Sequence, residues 1–134
     1  MQHHVGRLID HVHLRVRDLK RSERLYGAIA TLLDIELQSG EGWFSIDELF
    51  VSENENPSGP VHLAFQALDR ATVDRFHEVA LATGAQDHGR PGERQYHPGY
   101  YAAFVLDFDG NNLEAVHHGP SARSAGSVVV TAGA

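Results

Sequence analysis

The sequence begins the same strand-to-helix pattern twice. Residues 9–16 alternate between apolar and polar side chains, which is the two-residue period of a half-buried strand, and Asp18 follows as a helix N-cap. The pattern then recurs: a second strand contains His62, and Asp69 follows it as a second N-cap. His11 and His62 are 51 residues apart, and so are Asp18 and Asp69 (62 − 11 and 69 − 18). One shift therefore superposes the strand histidine and the helix cap, which predicts two copies of one structural module.

Each repeat continues in the order β-α-β-β-β. Apolar side chains spaced three and four residues apart predict one helix after each cap. These side chains are Leu25, Ile29 and Leu33 in the first half and Val73, Phe76 and Ala80 in the second, where Gly84 ends the helix. Short strands complete each half, and the last two are joined by a turn that contains Asp109 and Gly110. The prediction is an α+β fold with two βαβββ modules, at about residues 8–56 and 61–118.

Length and composition predict one domain over residues 1–134. A chain of 134 residues with 42% hydrophobic side chains is long enough to bury a core of its own. The tail from residue 119 to 134 is rich in small and polar residues and has no helical period. We expect it to be mobile or to add loosely as an edge strand.

Charge and cysteine content exclude several classes of function. The formal net charge is −7 and no basic stripe is present, so we expect neither a nucleic-acid partner nor binding to an anionic membrane surface. Cysteine is absent, which excludes thiolate metal sites and cysteine nucleophiles and fits a reducing compartment. No apolar stretch is long enough to cross a bilayer, so a cytoplasmic protein is expected. Any metal ion must be bound by His, Asp or Glu.

Strand alternation places four such side chains on one face of the predicted sheet. In the first strand the apolar residues at 12, 14 and 16 share the face that packs on a helix, so His11 and His13 project from the other face. The same alternation places His62 and, in the last strand, Glu114 on that face. Two imidazoles and one carboxylate can hold a divalent transition metal and leave positions open for substrate. The alternative is that these histidines are ordinary surface residues of a solvated strand face.

The segment 89–101, "GRPGERQYHPGYY", is a second candidate for function. It is predicted to be a loop between the second helix and the strand that leads to Glu114. It either lines the site as a lid or covers the edge of the sheet. As a lid it would provide Tyr96 or His97 as a general acid or base, a role that His13 could also fill from within the cleft. The substrate-binding candidates are Trp43, Phe50, Arg94, Tyr100 and Tyr101.

Three segments resemble the vicinal oxygen chelate superfamily, which includes glyoxalases, bleomycin and fosfomycin resistance proteins and extradiol dioxygenases. They are "IDHVHLRVRDLKRSERLYG", "VHLAF" and "AFVLDFDGNNLEAV", and the resemblance covers about residues 8–118. It implies a curled mixed sheet with the helices on its outer face. It also implies metal ligands on the first strand of each module and on the last strand of the second, which here are His11, His62 and Glu114.

Two departures from the family pattern limit the chemistry that this resemblance implies. Glyoxalases have a further carboxylate on the last strand of the first module, where alignment of residues 49–51 with 113–115 places Phe50. Glyoxalase I activity is therefore not expected. His13 stands where fosfomycin-modifying relatives have a small hydroxyl residue, which argues against that chemistry. The turn also has Phe108 where the family commonly has proline, a change that a type I turn tolerates.

Two classes of function follow. The first is a metal-dependent enzyme with a divalent ion (Fe, Mn, Zn or Ni) that acts on a small oxygen-chelating substrate. The alternative is a metal-free small-molecule binding protein of the bleomycin-resistance kind. Because two modules leave apolar strand edges exposed, a homodimer is expected in either case.

Overall fold

Two helices and ten strands form within residues 2–133, the part of the chain that the computed structural model describes, apart from the side chains of Gln2, His3 and Val5. In chain order they are β1 (Gln2–Val5), β2 (Val12–Val16), α1 (Leu19–Leu32), β3 (Leu37–Gly40), β4 (Trp43–Ile46), β5 (Leu49–Glu53), β6 (His62–Gln66), α2 (Arg70–Ala82), β7 (Gln86–Glu93), β8 (Tyr101–Leu106), β9 (Asn112–His117) and β10 (Val128–Thr131). The segments β2 to β5 and β6 to β9 each have the βαβββ order. The predicted α+β fold with two such modules is confirmed.

Each module forms its own four-stranded mixed sheet. The strand orders are β2-β5-β4-β3 and β6-β9-β8-β7, so the first strand of each module lies at a sheet edge. The first and last strands of each module are parallel, and the remaining neighbours are antiparallel. Each parallel pair is joined by a long connection that contains a helix and two strands, because a tight turn cannot join parallel neighbours.

Both helices begin at the predicted aspartates. The carboxylate of Asp18 accepts a hydrogen bond from the backbone N–H of Arg21 at 3.1 Å, and that of Asp69 accepts one from the N–H of Thr72 at 2.7 Å. The second helix ends before Gly84, whose φ of +101° suits glycine after a helix C-terminus. Among the described residues, no helix has the length and apolar character needed to cross a bilayer.

One hydrophobic core serves both modules. Leu14 and Val16 on β2 are buried, while His13 and Arg15, which alternate with them, are exposed, so the predicted alternation is confirmed. We call the side of each sheet that faces away from the helices its open face. The fully buried members of the core include Leu14, Val16, Leu25, Tyr26, Phe44 and Val51 from the first module and Val73, Phe76, Ala103, Val105, Leu113 and Ala115 from the second.

Two strand boundaries differ from the prediction. The first strand starts at Val12 rather than at residue 9, so His11 precedes it. The predicted loop 89–101 is shorter, because β7 extends to Glu93 and leaves residues 94–100 between strands. β7 contains two glycines and a proline, and its pairing with β8 shifts register at two places. Such bulges at a sheet edge remove the alternation by which a strand is recognised in a sequence.

The tail forms a strand but does not extend either four-stranded sheet. β10 pairs with β1 in a separate antiparallel ribbon, with Gln2 opposite Thr131 and Val5 opposite Val128. The run Val128–Val130 has the β-branched side chains that favour strands. The partner of β10 is β1, an N-terminal strand that was not predicted. The prediction that the tail adds as an edge strand to the main sheet was therefore wrong.

The turn between β8 and β9 connects the two modules. Asp107 accepts hydrogen bonds from the backbone N–H groups of Asp109 and Asn111 at 2.9 and 2.8 Å. Its other oxygen accepts one from the hydroxyl of Tyr26, on α1, at 2.7 Å. Burial, and then the neighbouring Asp107, raise the pKa of the Tyr26 hydroxyl well above its ordinary value, so Tyr26 remains a donor. The guanidinium of Arg21 also lies 3.9 Å from the ring centre of Phe108.

Tyr26→Phe should lower the free energy of unfolding by about 1–3 kcal/mol, because it removes a buried donor from the Asp107 carboxylate. Urea unfolding followed by circular dichroism measures this change. Tyr101→Phe is the matched control, since the Tyr101 hydroxyl also donates to an aspartate, Asp74, but at an exposed site. Equal losses in the two variants, or none in Tyr26→Phe, would show that the turn does not depend on this contact.

Candidate functional site

The second module brings His62 and Glu114 together on its open face. Nε2 of His62 lies 2.7 Å from Oε1 of Glu114. The Glu114 side chain is 2% exposed, whereas that of His62 is 53% exposed. The pair therefore consists of a buried carboxylate and an imidazole that solvent can reach.

Strand register produces this arrangement. β6 and β9 are parallel, with Ala64 opposite Glu114 and His62 opposite Asn112. His62 and Glu114 are therefore diagonal neighbours on one face, a separation that a long side chain spans. The amide oxygen of Asn111 accepts a hydrogen bond from the N–H of Val61 at 2.9 Å, and the N–H of Asn112 donates to the carbonyl of Val61 at 2.8 Å. These two bonds fix β6 against β9 immediately before His62.

The second carboxylate oxygen of Glu114 is bound by Tyr100. The Tyr100 hydroxyl donates a hydrogen bond to Oε2, so both oxygens of the buried carboxylate have partners. Burial, followed by the hydrogen bond and the negative charge of Glu114, raises the pKa of Tyr100 to about 12. Tyr100 therefore remains a protonated donor across the physiological range.

Three aromatic rings surround Tyr100. Tyr96, His97 and His118 contact its ring edge to face, with centroids 4.9, 5.2 and 5.1 Å away. Nε2 of His97 lies 2.8 Å from Nδ1 of His118, and Nδ1 of His97 lies 2.9 Å from the carbonyl oxygen of Pro98. Segment 94–100 is thus attached to the end of β9 next to Glu114.

Arg94 and Tyr101, two predicted substrate-binding residues, lie in different places. The Arg94 guanidinium lies 5.3 Å from the ring centre of Phe104, which is opposite Glu114 on β8. Tyr101 shares its side of β8 with the buried Ala103 and Val105, and its hydroxyl donates to Asp74 on α2 at 2.6 Å. The side chain of Tyr101 therefore lies on the helix side of the sheet, because adjacent strand residues point to opposite faces.

The open face of the first module is aromatic. His13 lies opposite Phe50 in the β2–β5 pair, as Ala64 lies opposite Glu114 in the second module. Phe50 therefore occupies the position of Glu114, as the alignment of the two modules predicts. Trp43 stacks on Phe50 with centroids 5.6 Å apart, and the His13 ring meets Phe50 edge-on at 5.0 Å. Nε2 of His13 lies 2.7 Å from Oγ of Ser52.

His11 is not part of the His62–Glu114 pair. Its side chain is 66% exposed, and Nδ1 lies 2.6 Å from the carboxylate of the neighbouring Asp10. Within the described part of the chain, no three His, Asp or Glu side chains form a group that could hold a metal ion. One chain therefore brings together two of the three predicted ligands.

The donor atoms of His62 and Glu114 suit a divalent ion. Ligand atoms at adjacent positions around one ion, each about 2.0–2.2 Å from it, are about 3 Å apart. The 2.7 Å between Nε2 and Oε1 needs only a small opening to reach that separation. An imidazole with a carboxylate is also a ligand set that Fe, Mn, Zn and Ni accept. The pair fits two positions of such a site.

Sequence reasoning missed three residues that shape the site. Phe104 lies beside His62, with ring centroids 6.1 Å apart, and strand alternation in β8 would have found it. His118 is exposed, and alternation from Glu114 places it on the same face. Ser52, the partner of His13, could have been found in the same way from Phe50.

The fold matches solved structures over most of the chain. A glyoxalase/bleomycin resistance protein from Albidiferax ferrireducens T118 is 25% identical, with a TM-score of 0.68, over 83% of this chain and 98% of the other. A glyoxalase/bleomycin resistance protein/dioxygenase family enzyme from Burkholderia phytofirmans PsJN is 20% identical, with a TM-score of 0.64, over 81% and 97% of the two chains. At that identity the second likeness shows the fold alone.

A family model agrees with the structural likeness. A search of curated proteins finds no match to the chain. The model described as Glyoxalase/Bleomycin resistance protein/Dioxygenase superfamily matches residues 8–115, which include β2 to β8 and most of β9. The chain therefore belongs to the glyoxalase/bleomycin resistance protein/dioxygenase superfamily.

Proposed function

We propose that the protein is a metal-dependent enzyme of the glyoxalase/dioxygenase type that acts on a small substrate with two adjacent oxygen atoms. His62, Glu114 and His11 would hold a divalent ion (Fe, Mn, Zn or Ni). When bound, such an ion would act as a Lewis acid beside the substrate oxygens. The observation that carries the proposal is the buried Glu114 carboxylate 2.7 Å from Nε2 of the accessible His62. The lack of cysteine is consistent with a cytoplasmic enzyme.

The third ligand, His11, would come from a second copy of the chain. Within one chain His11 does not join His62 and Glu114, yet its imidazole is exposed and free to meet another surface. The apolar side chains of Leu8 and Ile9 beside it are 89% and 47% exposed. Because β2 and β6 both lie at sheet edges, a symmetric homodimer can set β2 of one protomer beside β6 of its partner.

Proton transfer is assigned to His13. It lies on β2, two residues after His11, which directly precedes that strand, so a dimer that brings His11 to the site brings His13 close to it. Its Nε2 is oriented by Ser52 and is the atom that would accept or donate the proton. Phe50 has no ionisable group, so the carboxylate that a glyoxalase I uses at this position is missing. Tyr96 and His97 are less well placed, because both pack on Tyr100.

A metal-free small-molecule binding protein is the second candidate function. The aromatic cluster of Trp43, Phe50 and His13 on the open face of the first module favours it, since these rings are exposed or partly exposed and can stack on a flat ligand. In that case Glu114 would keep His62 and Tyr100 as its partners. Metal content after reconstitution distinguishes the two functions.

Glu114→Ala should weaken binding of a divalent ion by about 100-fold or more. A direct ligand is lost, whereas loss of an outer partner alone commonly costs 10–100-fold. Chelator-stripped protein without a His-tag is titrated with the metal and bound ion is measured by elemental analysis. Glu93→Ala, which removes an exposed carboxylate that pairs with Arg70, is the control. Equal and negligible occupancy in wild type and Glu114→Ala would favour the binding protein instead.

Subunit mixing tests whether the site is shared between two chains. His11→Ala and Glu114→Ala should each bind little metal, but hybrid dimers formed by mixing them contain one intact site. Random exchange should then restore about a quarter of the wild-type metal content. Mixing His62→Ala with Glu114→Ala is the control and should restore none, because those two residues lie in one chain. No recovery in the first mixture, together with a monomer in light scattering, would refute the shared site.

His13→Ala should keep metal occupancy within about twofold of wild type, since His13 is not a ligand in this scheme. Binding of small α-hydroxycarbonyl or catechol chelators should weaken by about tenfold, the size of one hydrogen bond to a charged group. Elemental analysis gives the metal occupancy and calorimetric titration of the metal-loaded variant gives the chelator affinity, with Ser52→Ala as a variant of smaller expected effect. Loss of metal in His13→Ala would make His13 a ligand. Unchanged chelator affinity would remove it from the site.

A further inference from the structure

The two oxygens of Glu114 have partners of different kinds. Oε1 lies 2.7 Å from Nε2 of His62, a nitrogen of the kind that binds metal ions in proteins. Oε2 accepts a hydrogen bond from the Tyr100 hydroxyl. The His62 side chain is 53% exposed, whereas Tyr100 is only partly exposed. One oxygen of the carboxylate therefore lies beside an accessible imidazole that can bind a metal ion, and the other is hydrogen-bonded to a phenol.

Segment 94–100 is built to hold Tyr100 in this position. The rings of Tyr96, His97 and His118 meet Tyr100 edge-on, and the backbone N–H of Arg94 donates to the Tyr100 carbonyl at 2.9 Å. The segment is also attached to the end of β9 through His97 and His118.

Close backbone packing adds a second attachment. Gly99 has a φ of +87°, and a Cβ built there would lie 3.1 Å from the carbonyl oxygen of His118 and 3.4 Å from Cα of Gly119. Only glycine combines this conformation with such a close approach. The segment therefore meets the end of β9 through both side chains and backbone, at His97 and at Gly99, the residue directly before Tyr100.

We propose that Tyr100 is a positioning residue rather than a substrate contact: its hydroxyl holds Oε2 of Glu114, so that Oε1 is presented beside Nε2 of His62. This inference rests on the metal-binding function proposed above. Ligating carboxylates are commonly fixed by such an outer hydrogen bond, which lowers the freedom that binding must remove. With Oε2 held by Tyr100, Glu114 offers one oxygen rather than two to a divalent ion.

The neighbouring tyrosine provides a matched control. Tyr101 is adjacent in sequence, and its hydroxyl also donates to a carboxylate, that of Asp74 on α2. It lies on the opposite face of β8, so Tyr101→Phe removes the same chemical group without touching Glu114. In Tyr100→Phe the ring remains to pack on Tyr96, His97 and His118, so the segment keeps its apolar contacts.

The test is a titration of chelator-stripped full-length protein with Co²⁺, followed by visible absorption in competition with a chelator of known affinity. Tyr100→Phe should bind Co²⁺ about 10–100-fold more weakly than wild type. Its bound-cobalt spectrum should also change, because a freed carboxylate alters the number and geometry of ligands. Tyr101→Phe should stay within about twofold of wild type on the same scale. Equal Co²⁺ affinity in wild type and Tyr100→Phe would overturn the inference and leave the metal function standing.

A metal-free measurement separates failure of the inference from failure of the proposed function. Urea midpoints are compared for wild type, Tyr100→Phe, Glu114→Gln and the double variant, all without metal. If Tyr100 acts on Glu114, the shift of the double variant falls short of the sum of the single shifts. Additive shifts would overturn the inference whatever the metal result. Absence of Co²⁺ binding by the wild type would instead overturn the proposed function, and the cycle then decides the Tyr100–Glu114 contact alone.

Discussion

The hydrogen bonds of Asp107 and Asn111 set the geometry on which the candidate site depends. Asp107 closes the turn between β8 and β9, and the same carboxylate receives the hydroxyl of Tyr26 from the first module. Asn111 then fixes Val61, the residue before His62. Because register on a parallel pair decides which side chains are neighbours, a slip of one residue here would turn His62 to the helix side. The turn thus links core packing to the position of the site.

Sequence alternation predicted the part of the site that lies within one sheet. His62 and Glu114 share a face because β6 and β9 are regular, and the parity of a regular strand is fixed by its sequence. Segment 94–100 could not be derived in this way, because irregular backbone has no period, and Tyr100 was found only as a candidate. The position of the Tyr101 side chain on the helix side follows from the alternation of β8 and could have been predicted from the sequence. His11 differs again, since its distance from His62 depends on how whole modules or chains pack.

The two modules use one scaffold for different surfaces. In each, the first and last strands pair in the same register, but the shared position is Phe50 in one and Glu114 in the other. Around Phe50 the open face is aromatic, with Trp43 and the ring of His13. Around Glu114 it is polar, with His62 and Tyr100. A ligand that met both faces would find an apolar wall on one side and oxygen and nitrogen donors on the other, as small-molecule sites commonly require.

The equivalence of Phe50 and Glu114 also indicates why residue 114 is a carboxylate. A buried charge costs several kcal/mol of solvation, and apolar replacement of such groups is often neutral or stabilising, so stability alone rarely explains them. The protein contains its own comparison, because Phe50 occupies the equivalent strand position in a sheet of the same topology. The βαβββ module therefore accepts an apolar side chain there. The second module instead buries a carboxylate and supplies it with an imidazole and a phenol. The fold therefore does not require a carboxylate at this position, and the proposed function accounts for the partnered Glu114 by the chemistry of the open face.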